Sequence, residues 1–452
     1  MTMLVKLKDN TPNQTIGADV NCTDELIHLS AHTIGNLKDD KGGNILIFPH
    51  SFNDYGDGVD KQYVFSVSSR LIDGKAKVDS ISTGNIMGFI GINGVDISIS
   101  SRFSDGTDND FFLMYMLQKV MSINVMNLKY GIGNDNMFEL LVFMFPIFLR
   151  RAMRQGIFRQ YMRKYRNDAN VRGVISIKEQ LRKNVPFNYK IAYSVREFET
   201  DNCVMQLIRH TIEYIRNKKE YYHILTSDKD TDGWVRYIMS LTPSYCIRHK
   251  LKVIKDNIRR PMSHPYYTEY AALQKLCVKI LRHEKVGHKQ SDNKIYGILF
   301  DGAWLWEEYL ATLLRPLGYL HPKNKTSEGK IFLCVDNHYS RYPDFYRGDN
   351  GGIVLDAKYK RDFDTRDDLN QLITYMYRLK SHYGVFILPG CDSDRKYSSK
   401  RLLGHGGFLE AFRMIIPKQS NVDSFKKYVE TMEENEDKLL DELRKIESFG
   451  SS

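Results

Sequence analysis

The segment Tyr342–Asp362, "YPDFYRGDNGGIVLDAKYKRD", constrains the chain more than any other. Its second half reads as a core strand, yet Asp356 and Lys358 stand where such a strand wants apolar residues. Side chains alternate along a strand. Asp356 and Lys358 therefore share a face with Val354, while Ile353, Leu355, Ala357 and Tyr359 point the other way into packing. The turn "RGDNGG" ends in Gly351 and Gly352, which take positive φ without cost, and it predicts a hairpin with "YPDFYR". Such a hairpin sets Asp344 beside Asp356.

Two adjacent carboxylates repel one another, and burial raises their pKa. A divalent cation relieves both problems. Mg²⁺ prefers oxygen donors and is commonly held by one or two carboxylates with several waters. Bound there, it acidifies water and stabilises charge on a phosphoryl oxygen. A lysine on the same face orients that water or stabilises the charge building at phosphorus. Two carboxylates and a lysine thus form a minimal phosphodiester hydrolase. The plainer alternative is an Asp356–Lys358 ion pair on an edge strand, since a lone D-x-K is a frequent pattern.

The surroundings favour the site. Ahead of the hairpin, "GAWLWEEYL" reads as a helix carrying Glu307 and Glu308; behind it, Arg366–Lys380 reads as another. On that second helix Gln371, Tyr375 and Arg378 fall on one stripe, and Leu372, Met376 and Leu379 on another. Gln371 then faces the end of the charged strand. The alternation of helix and strand from residue 291 onward predicts an α/β domain. A charged C-terminal helix follows, with an apolar stripe at Leu439, Leu440, Leu443 and Ile446.

Upstream, alternation in "QYVFSVSS" and "VDISIS" and frequent glycines predict a β-rich domain over residues 1–110. Residues 111–290 read as helical throughout. Within them Arg150–Lys183 is strongly basic, and the net charge of the chain is +10. Arg150, Arg151, Arg154, Arg159, Arg163 and Lys164 are candidate DNA-phosphate contacts. A solvated helix face and a docking face for an acidic protein stay open beside that reading.

The six cysteines show no zinc or disulfide spacing, which fits reduced thiols in the cytoplasm. The start "MTMLVKLKDN" lacks the apolar core of a secretory signal. The apolar run Leu140–Leu149 is about half a bilayer span and contains Pro146, so a buried helix and no membrane partner are expected. No GxxxxGK[ST], HExxH or GxSxG pattern occurs, which excludes a P-loop, a zincin helix and a nucleophile elbow.

Helix Glu, Pro343-Asp344, Asp356-x-Lys358 and helix Gln, in that order, resemble the PD-(D/E)XK nuclease superfamily. "YGILFDGAWLWEEYL" and "LDAKYK" are similar to the McrC family, the nuclease subunit of McrBC-type modification-dependent restriction systems. "GIFRQYMRKYRNDANVRGVISIKEQLRKN", "SVREFETDNCVMQLIRHTI" and "TGNIMGFIGINGVDISISSRF" resemble further segments of that family.

The resemblance implies a multidomain α+β protein. It would have a β-rich N-terminal domain (1–110), a helical middle region (111–290) and a C-terminal restriction-endonuclease-like domain with a mixed central sheet (291–452). It implies Asp344, Asp356 and Glu307 as metal ligands, Lys358 as the catalytic lysine and Gln371 as a positioning residue. It also implies Mg²⁺ as cofactor and DNA as substrate. The partner would be a GTP-hydrolysing AAA+ hexamer, McrB-like, which binds the GTP itself and receives the N-terminal domain. Alternatives are a nuclease of the same superfamily acting alone or with another partner, and a non-catalytic activator of an AAA+ protein.

Overall fold

The structure is a computed structural model. It describes residues 3–15, 23–39, 44–49, 61–72, 75–105, 110–121, 134–219, 221–226, 228–283, 295–322, 330–347, 352–391, 399–404 and 406–450. The centre of the expected "RGDNGG" turn, residues 348–351, lies outside them. The protein is a mixed α+β chain that divides into two compact units, Met1–Met137 with Gln290–Ser452, and Phe138–Lys289.

The first unit joins the two ends of the sequence. Its N-terminal sheet runs Met3–Lys8, Val95–Ser100, Ile86–Ile92, Tyr296–Asp301, Asn44–Phe48. The fourth strand comes from the far end of the chain. It pairs antiparallel with Ile86–Ile92 and parallel with Asn44–Phe48. The segments expected as separate domains, 1–110 and 291–452, therefore share one sheet. Alternation in "VDISIS" places Val95, Ile97 and Ile99 in a core with Val5, Leu7, Leu29, Ile90 and Leu299. A smaller sheet, Gln14–Thr15, Lys75–Thr83 and Phe65–Ile72, flanks it in sequence.

A second five-stranded sheet of this unit carries the charged strand. Its order is Phe345–Tyr346, Ile353–Ala357, Tyr383–Gly390, Phe408–Ile415, Lys400–Arg401. The first pair is antiparallel, with Phe345 opposite Leu355 and Tyr346 opposite Val354. The next two pairings are parallel, so the sheet is mixed. "KIFLCVD" forms a strand only at Ile331–Phe332, paired with Ser340–Arg341. The helix Asp367–Leu379 buries Leu372, Tyr375, Met376 and Leu379 against this sheet. It can do so because residue 384 is glycine: a Cβ there would lie 2.4 Å from the Met376 sulfur.

The helix Gly302–Leu314 starts at Asp301, whose carboxylate caps the Trp304 N–H at 2.7 Å. Its Tyr309 hydroxyl donates to Glu436 of the C-terminal helix Phe425–Gly450 at 2.7 Å. The Tyr115 hydroxyl, from the helix Phe111–Met121, donates to the same carboxylate at 2.5 Å. Lys119 adds an ion pair at 3.0 Å. One buried glutamate thus ties three helices. Leu439, Leu443 and Ile446 of the expected stripe are buried on the same body.

In the second unit the run around Pro146 is a buried helix, Asn134–Arg154. The helices Ile177–Lys183, Cys203–Arg216, Lys229–Leu241, Lys250–Arg259 and Thr268–His283 belong to it as well. The reading of 111–290 as wholly helical needs correction. Gln160–Asp168, Ile191–Glu199 and Val174–Ile175 form a three-stranded antiparallel sheet. "QYMRKYRND" offers no apolar stripe at helical spacing, and its basic residues find carboxylates across a ladder instead. Lys164 lies 2.5 Å from Glu199, and Arg166 lies 2.5 Å from Glu197. Among the described residues, no helix is long and apolar enough to cross a membrane. The described cysteines, 203, 246, 277, 334 and 391, take part in no disulfide.

Candidate active site

All five residues of the strand Ile353–Ala357 are buried. The face expected to be open is core at Val354, which packs with Tyr346, Leu372 and Phe386, and turns polar only at Asp356. Asp356 is fully buried, and neither of its carboxylate oxygens receives an aligned hydrogen bond among the described residues. Its neighbour is the Lys358 ammonium, 2.9 Å away. Lys358 follows the last ladder residue and fixes its backbone by donating to the Ile387 carbonyl at 3.0 Å.

Asp344 reaches the same spot from the neighbouring strand. Its Oδ2 accepts the Ala357 N–H at 2.8 Å, a bond that holds the carboxylate across the end of the ladder. Lys358 Nζ also donates to Gln371 Oε1 at 3.2 Å. Gln371 Nε2 in turn donates to the Tyr375 hydroxyl at 2.8 Å. The amide is therefore oriented from behind, with its oxygen committed to the lysine. The structure thus brings Asp344, Asp356, Lys358 and Gln371 together.

Electrostatics at this spot have one sign. Burial first, and then the charge of Asp344, raise the Asp356 carboxyl to about 7 against the pull of Lys358. Burial works against the Lys358 ammonium, but Asp356 and then Asp344 outweigh it and raise its pKa. Both shifts mean that the pocket favours added positive charge, as a proton or as a cation.

Three further residues bear on the site. Asp368, at the start of the Gln371 helix, is 3.8 Å from Lys358 and also pairs with Lys360. It lies three positions before Gln371, on the same helical face, and that spacing is the signal that could have found it. His321 is buried, stacks on Phe345 at 4.7 Å, and its Nδ1 lies 2.8 Å from the Asp344 carbonyl oxygen. Its Nε2 faces Glu308 at 3.7 Å. The link between the Gly302–Leu314 helix and the Asp344 segment thus runs through Glu308. Glu307 sits half-buried on the same helix. Nothing in the local sequence announces His321.

The back of the site is wedged from the N-terminal sheet. Tyr359, next to Lys358, contacts Ser101 through its hydroxyl at 2.9 Å and carries the Arg102 guanidinium 4.7 Å over its ring. Gly302 makes room for that ring: a Cβ there would stand 2.7 Å from Tyr359 Cε1.

Of the six basic candidates in the other unit, Arg150 pairs with Asp228 at 3.2 Å and Lys164 with Glu197 and Glu199. Arg151, Arg154, Arg159 and Arg163 are exposed.

Two carboxylates, one of them buried and met by a single ammonium, fit a hard divalent ion that keeps most of its waters. Among the described residues, no group of three or more histidine, cysteine or acidic side chains could hold a metal by itself. A dedicated all-protein cage is therefore not what this site offers; Asp344 and Asp356 would hold the ion jointly with water and substrate.

No curated protein matches the chain. Two solved structures resemble it at 16% identity. One is a refined half-complex of Thermococcus gammatolerans McrB AAA+ hexamers with bound McrC, covering 96% of this chain and 100% of that one at a TM-score of 0.49. The other is the Thermococcus gammatolerans McrBC complex, covering 69% and 87% at a TM-score of 0.33. A family model described as the McrBC 5-methylcytosine restriction system component matches residues 81–389, more than half of the sequence. That span includes the N-terminal sheet strands from Ile86 to Ser100 and every residue of the carboxylate–lysine site, and the chain belongs to this family.

Proposed function

We propose that this protein is the DNA-cleaving subunit of a McrBC-type restriction complex, with a PD-(D/E)XK active site built from Asp344, Asp356 and Lys358. The observation that carries the proposal is the fully buried Asp356, paired with the Lys358 ammonium at 2.9 Å and raised in pKa by the second carboxylate of Asp344. A structural ion pair would not need the second carboxylate, whose charge raises the first one's pKa.

Asp344 and Asp356 would hold Mg²⁺ jointly with water and substrate, with Glu307 of the adjoining helix as an outer carboxylate. When bound, the ion supplies Lewis acidity toward a phosphodiester and lowers the pKa of its water. The chain's own residues do the rest. The Ala357 N–H pins Asp344, so its second oxygen has a defined direction. Gln371 and Asp356 hold the Lys358 ammonium at the mouth of the pocket. There Lys358 stabilises the negative charge that develops as the phosphodiester is attacked. Tyr375 keeps Gln371 from rotating.

The sequence contains no P-loop, and nucleotide hydrolysis is placed in this proposal on a separate AAA+ GTPase, the partner that the sequence resemblance implies. The chain would dock on that hexamer, stimulate its GTP hydrolysis and cut modified DNA in the cytoplasm. The test is Lys358→Ala, purified with an AAA+ GTPase partner. Cleavage with Mg²⁺ should vanish while stimulation of GTP hydrolysis persists; cleavage at the wild-type rate would sink the site assignment.

A further inference from the structure

The small sheet at residues 160–199 has two unlike faces. Directly paired residues of an antiparallel ladder share a face. Glu197 and Glu199 lie on one side, neutralised by Lys164 and Arg166. The other side carries Tyr161 opposite Phe198, Arg163 opposite Arg196, and Tyr165 opposite Ser194. No carboxylate occupies this side at those positions. Neither Arg163 nor Arg196 has an ion-pair partner among the described residues, and both are exposed. Like charges placed directly across a ladder destabilise it. Here the repulsion is flanked by three aromatic rings that the fold leaves open: Tyr161 is 69% exposed, Tyr165 63% and Phe198 51%. Tyr161 and Phe198 meet at a ring separation of 4.9 Å, forming a continuous aromatic floor beside the arginine pair.

We infer that this face binds a nucleic-acid strand with unpaired bases. A phosphate placed between Arg163 and Arg196 relieves their repulsion, while Tyr161 with Phe198 on one side and Tyr165 on the other present π-faces for flanking bases. An acidic protein surface would also engage arginines and rings, and variants that lose a protein partner while keeping the strand would assign the face to it. Duplex DNA hides its base faces, so a single strand is preferred. The inference rests on the nucleic-acid reading of the protein's substrate, but binding here needs neither metal nor cleavage.

The experiment is fluorescence anisotropy of the full-length protein in EDTA with a labelled single-stranded DNA, the matching RNA strand, the matching duplex, and inorganic polyphosphate as a base-free polyanion. Tyr161→Ala/Tyr165→Ala should weaken DNA single-strand binding about tenfold or more. Tyr161→Phe/Tyr165→Phe should retain it. Arg163→Gln/Arg196→Gln should reduce the salt dependence by about 0.7 in log–log slope, the share of the one phosphate held between them. RNA bound equally well supports a sequence- and sugar-tolerant platform, as does a DNA preference of a few fold.

Four results overturn the inference. These are no strand binding, a tighter grip on duplex, polyphosphate binding as strong as DNA, and variants that lose an AAA+ partner but keep the strand. Circular dichroism of each variant separates loss of binding from loss of fold. Failure of the nuclease proposal looks different, because the strand would still bind while Lys358→Ala left cleavage intact.

Discussion

Lys358 Nζ lies 2.9 Å from Asp356 and 3.2 Å from Gln371, so the lysine bridges a strand to the helix packed on it. Its position is set by backbone and amide contacts rather than by a flexible stem alone. Removing Lys358 or Asp356 should therefore abolish chemistry with little damage to the fold. Lys358→Ala and Asp344→Asn are each expected to lower cleavage by about 100-fold or more, the range seen for lost charge stabilisation in active sites. Gel assays of DNA cleavage at fixed protein and partner concentrations measure this.

Metal binding should be visible without catalysis. Mg²⁺ should raise the thermal midpoint of the wild type but not of Asp356→Asn. At a hundredfold excess over Kd, binding contributes about 2.7 kcal/mol to stability. Equal shifts for both proteins would remove Asp356 from the ligand set.

The pH dependence has a defined sign. The folded Asp356 carboxyl is raised to about 7, above its ordinary 3.8. Between these values the folded state holds a proton that the unfolded state has lost. Stability contributed by this group is thus full below about pH 4 and declines as pH rises toward 7. Without Mg²⁺, the midpoint of Asp356→Asn relative to wild type should climb between pH 4 and 7 and level off above. A flat difference across that window would contradict the burial of this carboxyl.

Two substitutions away from the chemistry should test the packing that positions it. Gly384→Ala drives a methyl into the Met376 sulfur and should cost about 1–3 kcal/mol. Glu436→Ala strands two buried tyrosine hydroxyls and removes one of the two carboxylate partners of Lys119, at about 3 kcal/mol. Denaturant titration of the full chain reads both.

Legibility followed the range of the interactions. Asp344, Asp356 and Lys358 could be read because alternation and one hairpin are local rules, and the ladder pairing Phe345 with Leu355 obeys them. Gln371 could be read because helical spacing carried it to the strand's end. His321 could not, since it reaches Asp344 from 23 residues upstream and itself lies outside any helix or strand whose periodicity would place it. The Gln160–Asp168 strand was masked because its ladder is closed by charged pairs with residues about 30 positions away, not by an apolar alternation. Residues 296–301 fall inside the C-terminal domain expected from 291 onward, and only the partners of their strand, more than 200 residues earlier, show that it belongs to the N-terminal sheet.

That strand has a consequence for how the protein can be taken apart. It lies between Ile86–Ile92 and Asn44–Phe48 and leads directly, through Asp301, into the helix that carries Glu307 and Glu308. A fragment beginning near residue 300 would forfeit the anchor of that helix; one ending near residue 104 would have a gap where its fourth strand belongs. The first hundred residues are consequently not a cassette that recombination can exchange by itself. A nick between Ser100 and Phe111 would yield two pieces that still co-purify, zipped along a ladder neither can close alone.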